Sequence, residues 1–239
     1  MLVIFVKKNI FVYLNRMPCT VNLHEGDCIA YMHGMEDKSV DLLLTDIPYN
    51  EVNRKDNGLR NLDKGVADSA IFDLECALNQ FMRITKGSIY VFCGIEQVSF
   101  IKKTFRENGL STRLVIWEKT NPSPMNGNSI WLNSIECCVF GKFPKATFNE
   151  HCKSSVLRFP SGRSKIHPTQ KPVNLFKRII DVSSNEGDIV FDPFMGSGTA
   201  GEAAISLGRN FIGCELDHDY FNIAKDRIEA VRIEPKLFY

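Results

Sequence analysis

The spacing of apolar and polar positions along the chain predicts strands and helices that alternate. Short apolar runs typical of buried strands occupy residues 40–45, 88–93, 114–117, 135–140, 188–192 and 210–215. Apolar positions at helical spacing predict helices over 69–85, 96–108, 198–207 and 217–231, and a further helix that begins at Pro172. This alternation implies a mostly parallel, twisted sheet with helices on both faces, so the predicted fold class is α/β.

A further predicted strand ends at residues 24–28, where it turns into a short helix. Polar motifs stand near residues 27, 46 and 192, at the ends of this strand and of the strands over 40–45 and 188–192. Ligands of parallel sheets bind outside the carboxyl ends of the strands. We therefore expect the three motifs to share one functional edge of the sheet.

Charge is distributed unevenly, although the net charge is only +1. Between residues 142 and 171, seven Lys or Arg residues face a single acid, Glu150, which gives this segment +6 and leaves −5 for the remainder. A local basic segment on a neutral protein suits contact with phosphates. A solvated lysine-rich loop would have the same composition, so both interpretations stay open at this point.

Cysteine usage and the apolar N-terminus bear on metals, location and membranes. None of the eight cysteines forms a CxxC pair, so the ligand spacing of a zinc site is missing and we expect no metal. Cysteines inside apolar runs are typical core residues of a reducing compartment, so the expected location is cytoplasmic. The apolar stretch 1–14 is interrupted by Lys7 and Lys8 and is shorter than the ~20 residues that span a bilayer, so no membrane partner is expected.

A glycine-rich turn, FDPFMGSGT at 191–199, follows one of the predicted strands. Gly196 and Gly198 would let a ligand approach the backbone beside a helix N-terminus. Glu215 ends the next strand, where an acid can accept hydrogen bonds from both hydroxyls of a ribose. Together these features indicate a nucleoside-containing cofactor, although a tight strand–helix turn and a favourable charge at a helix start would explain each one alone.

A carboxylate, a proline and an aromatic ring stand together after the strand over 40–45. Asp46 and the backbone carbonyl of Ile47 could each accept one N–H of an extruded adenine, which would make the amino lone pair available. Tyr49 could stack on the base. A capped turn around Pro48 would explain the same residues without any substrate.

The order of these motifs resembles that of the amino-directed DNA methyltransferases of the β class, in which the motifs are permuted. The strings that carry the resemblance are DIPY at 46–49, HPTQKP at 167–172 and DPFMGSGT at 192–199, and the match spans about residues 22–230. The resemblance implies a Rossmann-like methyltransferase fold, S-adenosylmethionine as cofactor and DNA as partner. It also implies methyl transfer to the N6 amino group of adenine, because an Asp-first motif usually accompanies adenine in that family.

The resemblance assigns roles to single residues by position. The implied catalytic residues, which would hold the target base, are Asp46, Pro48 and Tyr49. The implied cofactor-binding residues are Asp27, Cys28, Thr169, Lys171, Asp192, Phe194, Gly196, Ser197, Gly198, Thr199 and Glu215. Candidate DNA contacts come from the basic residues of two segments, namely Arg54, Lys55, Arg158, Arg163 and Lys165.

One methyltransferase domain over 1–239 is expected, with a short basic recognition segment at about 141–166 and a mobile loop at about 50–68. Only 26 residues separate Phe140 from His167, which is short for a recognition domain. Single-stranded DNA therefore fits as a substrate beside double-stranded DNA. A homodimer and a cognate restriction enzyme are further open predictions.

Ile47 stands where the resembled family usually has proline, which leaves the rigidity of the turn and the target base open. The alternatives within the family are transfer to N4 of cytosine and an inactive DNA-binding relative. Outside it, an RNA or protein methyltransferase would use similar chemistry, and a nicotinamide-dependent dehydrogenase would share the glycine turn.

Overall fold

The computed structural model of the chain describes residues 3–6, 10–13, 19–48, 73–124, 127–162 and 170–233. The strands in these residues are β1 (Val3–Val6), β2 (Ile10–Tyr13), β3 (Val21–Glu25), β4 (Val40–Asp46), β5 (Thr85–Cys93), β6 (Ser111–Lys119), β7 (Ile135–Lys142), β8 (Val156–Phe159), β9 (Ile189–Asp192) and β10 (Asn210–Glu215). The α-helices are α1 (Cys28–His33), α2 (Leu74–Ile84), α3 (Val98–Glu107), α4 (Val173–Ser183), α5 (Thr199–Ser206) and α6 (His218–Ile233). None of these helices is both long and apolar enough to cross a membrane.

Eight strands form one sheet in the order β3-β10-β9-β4-β5-β7-β6-β8, and β1 and β2 form a separate antiparallel pair. Strand β7 runs antiparallel to both of its neighbours, whereas every other pair in the larger sheet is parallel. The predicted α/β class with a mostly parallel sheet is therefore confirmed. The reversal of β7 places its first residues at the edge where the other strands end.

Helices cover both faces of the larger sheet, as predicted. Helices α4, α5 and α6 contribute Phe176, Ala203 and Ile228 to the core on one face. Helices α2 and α3 contribute Phe81 and Phe105 to the core on the other face, which α1 also covers. Both layers are needed because a parallel sheet that is apolar on both faces must bury both of them.

The end of the helix predicted over 96–108 and the start of the helix predicted over 217–231 lie within one residue of the predicted bounds. The Asp217 carboxylate caps α6 by accepting hydrogen bonds from the backbone N–H groups of Asp219 and Tyr220, at 2.9 and 3.0 Å. Gly109 follows α3 with φ of +82°, a left-handed conformation that glycine adopts without steric cost. These local signals depend on side chains within a few residues, so the sequence alone carries them.

Strand β8 is an element that the apolar pattern did not predict. Its four residues include Arg158, and none of them is fully buried, because the strand lies at the edge of the sheet. It forms by parallel pairing with β6, in which Val156 pairs with Ile116 and Phe159 with Lys119. The partner strand, rather than local periodicity, therefore determines this element.

Strands β4 and β9 are neighbours in the sheet, but the connections that follow them lead to opposite sides. From β4 the chain crosses through α2 to β5 on one side, and from β9 it crosses through α5 to β10 on the other. Such a switch point opens a crevice at the carboxyl ends of the two central strands. Thr45 and Asp192 span it, because the Thr45 hydroxyl donates to Asp192 Oδ1 at 2.8 Å.

Candidate active site

The fold brings four acids that lie far apart in the sequence to one edge of the sheet. Asp27, Asp46, Asp192 and Glu215 each stand at or just after the carboxyl end of a parallel strand, namely β3, β4, β9 and β10. The backbone N–H of Gly26 donates to the carbonyl of Glu215 at 2.8 Å, which joins the outer two strand ends. The predicted shared edge is therefore present.

The turn between β9 and α5 is shaped by two glycines in left-handed conformations. Gly196 has φ of +50° and Gly198 has φ of +81°. A Cβ atom on Gly198 would stand 2.9 Å from Cα and Cβ of Ala224 in α6. Gly198 is therefore required by backbone conformation and by the close approach of α6, in addition to any contact with a ligand.

Glu215 is a nearly buried acid that holds this turn. Its Oε2 accepts from the backbone N–H of Gly196 and its Oε1 from that of Asp217, both at 2.8 Å. Burial raises the pKa of Glu215 despite these hydrogen bonds. The carboxylate is thus fixed in orientation at the end of β10, next to the glycine turn.

Asp192 is also buried, and it fixes the start of the same turn. Its Oδ1 accepts from the Thr45 hydroxyl and, at 3.1 Å, from the backbone N–H of Phe194. Burial raises the pKa of Asp192 to about 7, and these two hydrogen bonds only partly oppose that rise. The contacts give Asp192 a structural role, and its predicted contact with a cofactor stays a prediction.

Arg227 of α6 supports the turn from behind, and sequence reasoning missed it. Its Nη1 donates to the carbonyl of Ser197 at 3.1 Å and to the hydroxyl of Thr199 at 3.3 Å. Its Nε forms an ion pair with Glu202 of α5. No motif links a residue in the middle of α6 to the turn, so only the packing of α5 against α6 reveals this role.

Asp27 and Cys28 form the start of α1 at the outer end of the same edge. Asp27 caps the helix, because its Oδ1 accepts from the backbone N–H of Ala30 at 2.7 Å. The Cys28 thiol is buried, and burial raises its pKa to about 12, so it stays a neutral thiol at neutral pH.

A chain of alternating charges begins at Asp46. Lys171 Nζ forms an ion pair with Asp46 Oδ2 and lies 2.9 Å from Glu136 Oε2. Glu136 Oε1 in turn lies 2.8 Å from Lys119 Nζ at the end of β6. Two carboxylates and two ammonium groups therefore alternate along the edge, and we call these four residues the charge chain.

The charge chain changes the electrostatics of its buried members. Burial opposes the positive charge of Lys171, but the carboxylates of Asp46 and Glu136 outweigh it, so the pKa of Lys171 is raised. Burial would favour neutral Glu136, yet Lys171 and Lys119 outweigh it and lower the pKa of Glu136. Lys171 and Glu136 are therefore both ionised at neutral pH.

The resemblance assigns Lys171 to the cofactor, and the structure places its ammonium group on the carboxylate of Asp46. Its contact with a cofactor stays a prediction. Glu136 and Lys119 were missed, because the sequence shows neither a motif nor a periodicity for them. Each is an ordinary charged residue near a strand end, and the reversal of β7 brings Glu136 to the edge where β6 ends at Lys119.

Ile47 is anchored in a way that a proline would not allow. Its backbone N–H donates to the carbonyl of Phe92 at 3.1 Å, and its side chain is buried. The carbonyl of Pro48 accepts a hydrogen bond from Gln97 Nε2 at 3.4 Å. A hydrogen bond and burial thus hold the turn at the position where the resembled family has a second proline ring.

The charge of Asp46 affects the pKa of two cysteines, although no cysteine adjoins Asp46 in the sequence. Burial, with smaller contributions from Asp46 and the neighbouring thiol groups, raises the pKa of Cys93 to about 12 and that of Cys138 far above its usual range. Both thiols are therefore protonated at neutral pH and are poor nucleophiles. The described residues contain no group of three or more His, Cys, Asp or Glu side chains placed to hold a metal ion.

The basic segment at about 141–166 does not gather at one place. Lys142 ends β7 at the edge opposite Asp46, because β7 is reversed, and Lys145 follows it there. Arg158 lies in β8, where its Nε stands 3.0 Å from Glu118 Oε2 and its side chain is 64% exposed. The described part of the segment therefore places positive charge at both ends of the strands, the end where Asp46 lies and the opposite one.

Several predicted residues lie outside the part of the chain that the structure describes. They are Tyr49, the loop at 50–68 with Arg54 and Lys55, and Arg163, Lys165 and Thr169. Their predicted roles in stacking, DNA contact and cofactor contact stay predictions.

The fold and the order of the motifs are those of a methyltransferase that acts on DNA, and comparison with known proteins shows the family. The model of the DNA methylase family matches residues 40–226, which is more than half of the chain. The chain therefore belongs to the DNA methylase family. It is 32% identical to the type II methyltransferase M.HinfI of Haemophilus influenzae, over 96% of this chain and 72% of that protein.

Solved structures give the same result for the fold. The M1.HpyAVI–SAM complex is similar with a TM-score of 0.68 and 31% identity, over 87% of this chain and 100% of that one. The PvuII DNA methyltransferase, which is cytosine-N4-specific, has a TM-score of 0.66 at 16% identity, over 92% of this chain and 88% of that one. At that identity the second likeness bears on the fold alone.

Proposed function

We propose that this chain transfers a methyl group from S-adenosylmethionine to the N6 amino group of adenine in DNA. The observation that carries the proposal is the ion pair between Lys171 and Asp46 at the switch point of the sheet. The pair fixes an acceptor carboxylate whose side chain is still 31% exposed, and therefore within reach of a base. Adenine is favoured because the motif begins with this Asp.

The residues at the turn and at the end of β10 fit S-adenosylmethionine. An ionised carboxylate has acceptor capacity for several hydrogen bonds, so Glu215 can bind ribose hydroxyls while it holds Gly196 and Asp217. The turn at 196–199, with Phe194 before it, would form the wall of the pocket, and Asp27 would lie on the adenine side. When bound, S-adenosylmethionine supplies a methyl group whose bond to the sulfonium sulfur breaks as its bond to the base nitrogen forms.

The chain's own residues prepare the nitrogen that receives the methyl group. Asp46 accepts one N–H of the adenine amino group and the carbonyl of Ile47 accepts the other, which favours a tetrahedral nitrogen with an available lone pair. Lys171 keeps the Asp46 carboxylate in one orientation. The proton that the nitrogen loses passes to Asp46 or to solvent, and Cys93 takes no covalent part.

Extrusion of the base would bring the DNA to the carboxyl edge of the sheet. Arg158 is the candidate phosphate contact within the described residues, because its side chain is 64% exposed on edge strand β8. We propose that the basic residues at 50–68 and at 163–165 complete this contact. The type II relative M.HinfI makes a cognate restriction enzyme a reasonable functional partner to seek.

The proposal is tested with labelled S-adenosylmethionine, mixed-sequence DNA and mass analysis of the digested nucleosides. The wild type is expected to form N6-methyladenine. Asp46→Ala is expected to lose about 100-fold or more of kcat, as positioned catalytic groups typically do when removed, and to keep its affinity for the cofactor. Asp37→Ala is the control, because it removes an aspartate whose ion pair with Arg83 lies outside the site.

Each other outcome has a definite meaning. N4-methylcytosine as the product would overturn the assignment to adenine and keep the enzyme class. DNA binding without any methyl transfer would point to an inactive relative. Full activity in Asp46→Ala would remove the role assigned to that carboxylate.

A further inference from the structure

The connection between β6 and β7 carries the most exposed large apolar side chain of the described residues. Trp131 is 98% exposed, and Ile130, Leu132 and Ile135 around it are 67, 41 and 45% exposed. We call these four residues the Trp131 patch. Exposed apolar side chains that are contiguous in this way mark interaction sites more often than single exposed residues do.

The Trp131 patch belongs to the edge at which the base must arrive. The backbone N–H of Lys119 donates to the carbonyl of Ser134 at 2.7 Å, which ties the connection to the end of β6. Ile135 begins β7 opposite Glu118, and the next residue, Glu136, contacts Lys171. Trp131 is five residues from Glu136, so the chain confines it to within about 18 Å of that residue.

The composition of this connection favours bases over phosphates as its partner. Residues 120–134 include no Lys, Arg, Asp or Glu, but they include four Asn. An uncharged segment offers little attraction to phosphates, whereas an exposed indole presents a face on which any base can stack. Asn side chains can in addition pair with base edges.

We propose that Trp131 stacks on an unpaired DNA base next to the catalytic edge. The base is either a neighbour of the extruded target or its former partner, and the stack replaces contacts that the duplex loses on extrusion. The Trp131 patch would thus contact DNA through its bases, whereas the basic residues would contact its phosphates. This proposal rests on transfer taking place at the same edge, but its measurement needs no turnover.

The chain offers an internal reporter for this contact. It has two tryptophans, and the other one, Trp117, is buried, with its Nε1 donating to the carbonyl of Phe159 at 2.9 Å. Tryptophan fluorescence that responds to an added base will therefore arise from Trp131. We expect a single-stranded mixed-sequence oligonucleotide to quench the emission of the wild type, and inorganic polyphosphate, which has charge but no bases, to leave it unchanged.

Variants at position 131 separate stacking from a structural effect. Trp131→Ala is expected to weaken DNA binding by about 5- to 150-fold, the range for loss of one stacked base. Trp131→Phe keeps an aromatic face, so it should retain most of the affinity while it loses the quenching signal. Phe148→Ala is the control, because Phe148 is an aromatic residue that is 44% exposed outside this patch.

Four outcomes would overturn the proposal. They are no quenching by the oligonucleotide, equal quenching by polyphosphate, unchanged DNA affinity in Trp131→Ala, and emission that changes with protein concentration in the absence of DNA. The last of these would assign the patch to contact between two copies of the chain. A wild type that methylates DNA but shows no quenching would refute this proposal alone, whereas quenching without N6-methyladenine would refute only the proposed function.

Discussion

At the scale of single residues, Glu136 explains how Lys171 can stay charged beside the carboxylate of Asp46. Lys171 is only 6% exposed, and a buried ammonium group is costly unless carboxylates surround it. Asp46 and Glu136 supply two carboxylates, and the Lys119 ammonium group pairs with the carboxylate of Glu136. In the proposed reaction, Glu136 therefore acts through Lys171 and does not touch the base.

Glu136→Gln is expected to lower kcat about tenfold, which corresponds to about 1.4 kcal/mol, and to leave cofactor affinity unchanged. Lys171 would lose one of the two carboxylates that keep its proton, so the alkaline limb of the kcat profile should move to lower pH. The measurement is kcat against pH, with the cofactor dissociation constant determined in parallel.

Glu150→Gln is the matched control for that experiment. Glu150 is also paired with a cation, Arg178, and its side chain is as exposed as that of Glu136, at 22%. Glu150 lies away from Asp46, so kcat of the Glu150→Gln variant should depend on pH as that of the wild type does. An unshifted alkaline limb in Glu136→Gln would contradict the positioning role.

At the scale of elements, the turn between β9 and α5 combines two demands on one glycine. Gly198 has a left-handed backbone, and its Cα faces Ala224 of α6 with no room for a Cβ. The motif alone suggested space for a ligand. The structure adds close packing between α5 and α6, which fixes where the helix N-terminus points.

Gly198→Ala is expected to lower the free energy of unfolding and to weaken cofactor binding, whereas Gly109→Ala should affect stability alone. Gly109 has φ of +82°, nearly that of Gly198, but a Cβ there would meet nothing within 4 Å. Both variants pay the cost of a left-handed alanine, about 1–2 kcal/mol, so the difference between them measures the contact with Ala224. Urea unfolding and cofactor titration provide the two readouts, and equal losses in both variants would show that packing at Gly198 is unimportant.

At the scale of the whole molecule, the buried Asp192 makes folding stability depend on pH. Its pKa is about 7 in the folded chain against 3.8 for an ordinary aspartate. The folded state holds the Asp192 proton more tightly than the unfolded state does. The contribution of Asp192 to the free energy of unfolding is therefore greatest below about pH 4, and it is lost as the pH rises to about 7.

Asp192→Asn keeps an oxygen that can accept from Thr45 and Phe194 but removes the titration. We expect the stability of the variant relative to the wild type to increase by at most about 1.4 kcal/mol per pH unit between about pH 4 and 7, and then to level off. Urea unfolding of both proteins at several pH values measures this difference. A difference that does not change with pH would show that Asp192 is ionised throughout.

The sequence by itself determined the α/β class, most strand and helix positions, the start of α6 and the motifs at 46–49 and 192–199. Each of these depends on residues that are near one another along the chain, so local spacing, turn chemistry and motif strings carry the information. The order of the motifs resembles that of the β-class amino-directed DNA methyltransferases, and this resemblance predicted the family to which the chain belongs.

Only the tertiary structure decided the contacts between distant strands and helices. The reversal of β7 brings Glu136 to Lys171 and to Lys119 at the end of β6, packing of α6 brings Arg227 to the turn, and pairing with β6 creates β8. The same reversal carries Lys142 away from the edge that holds Asp46. These outcomes depend on strand order and direction, which arise from the burial of the whole sheet and leave no periodic signal at the residues concerned.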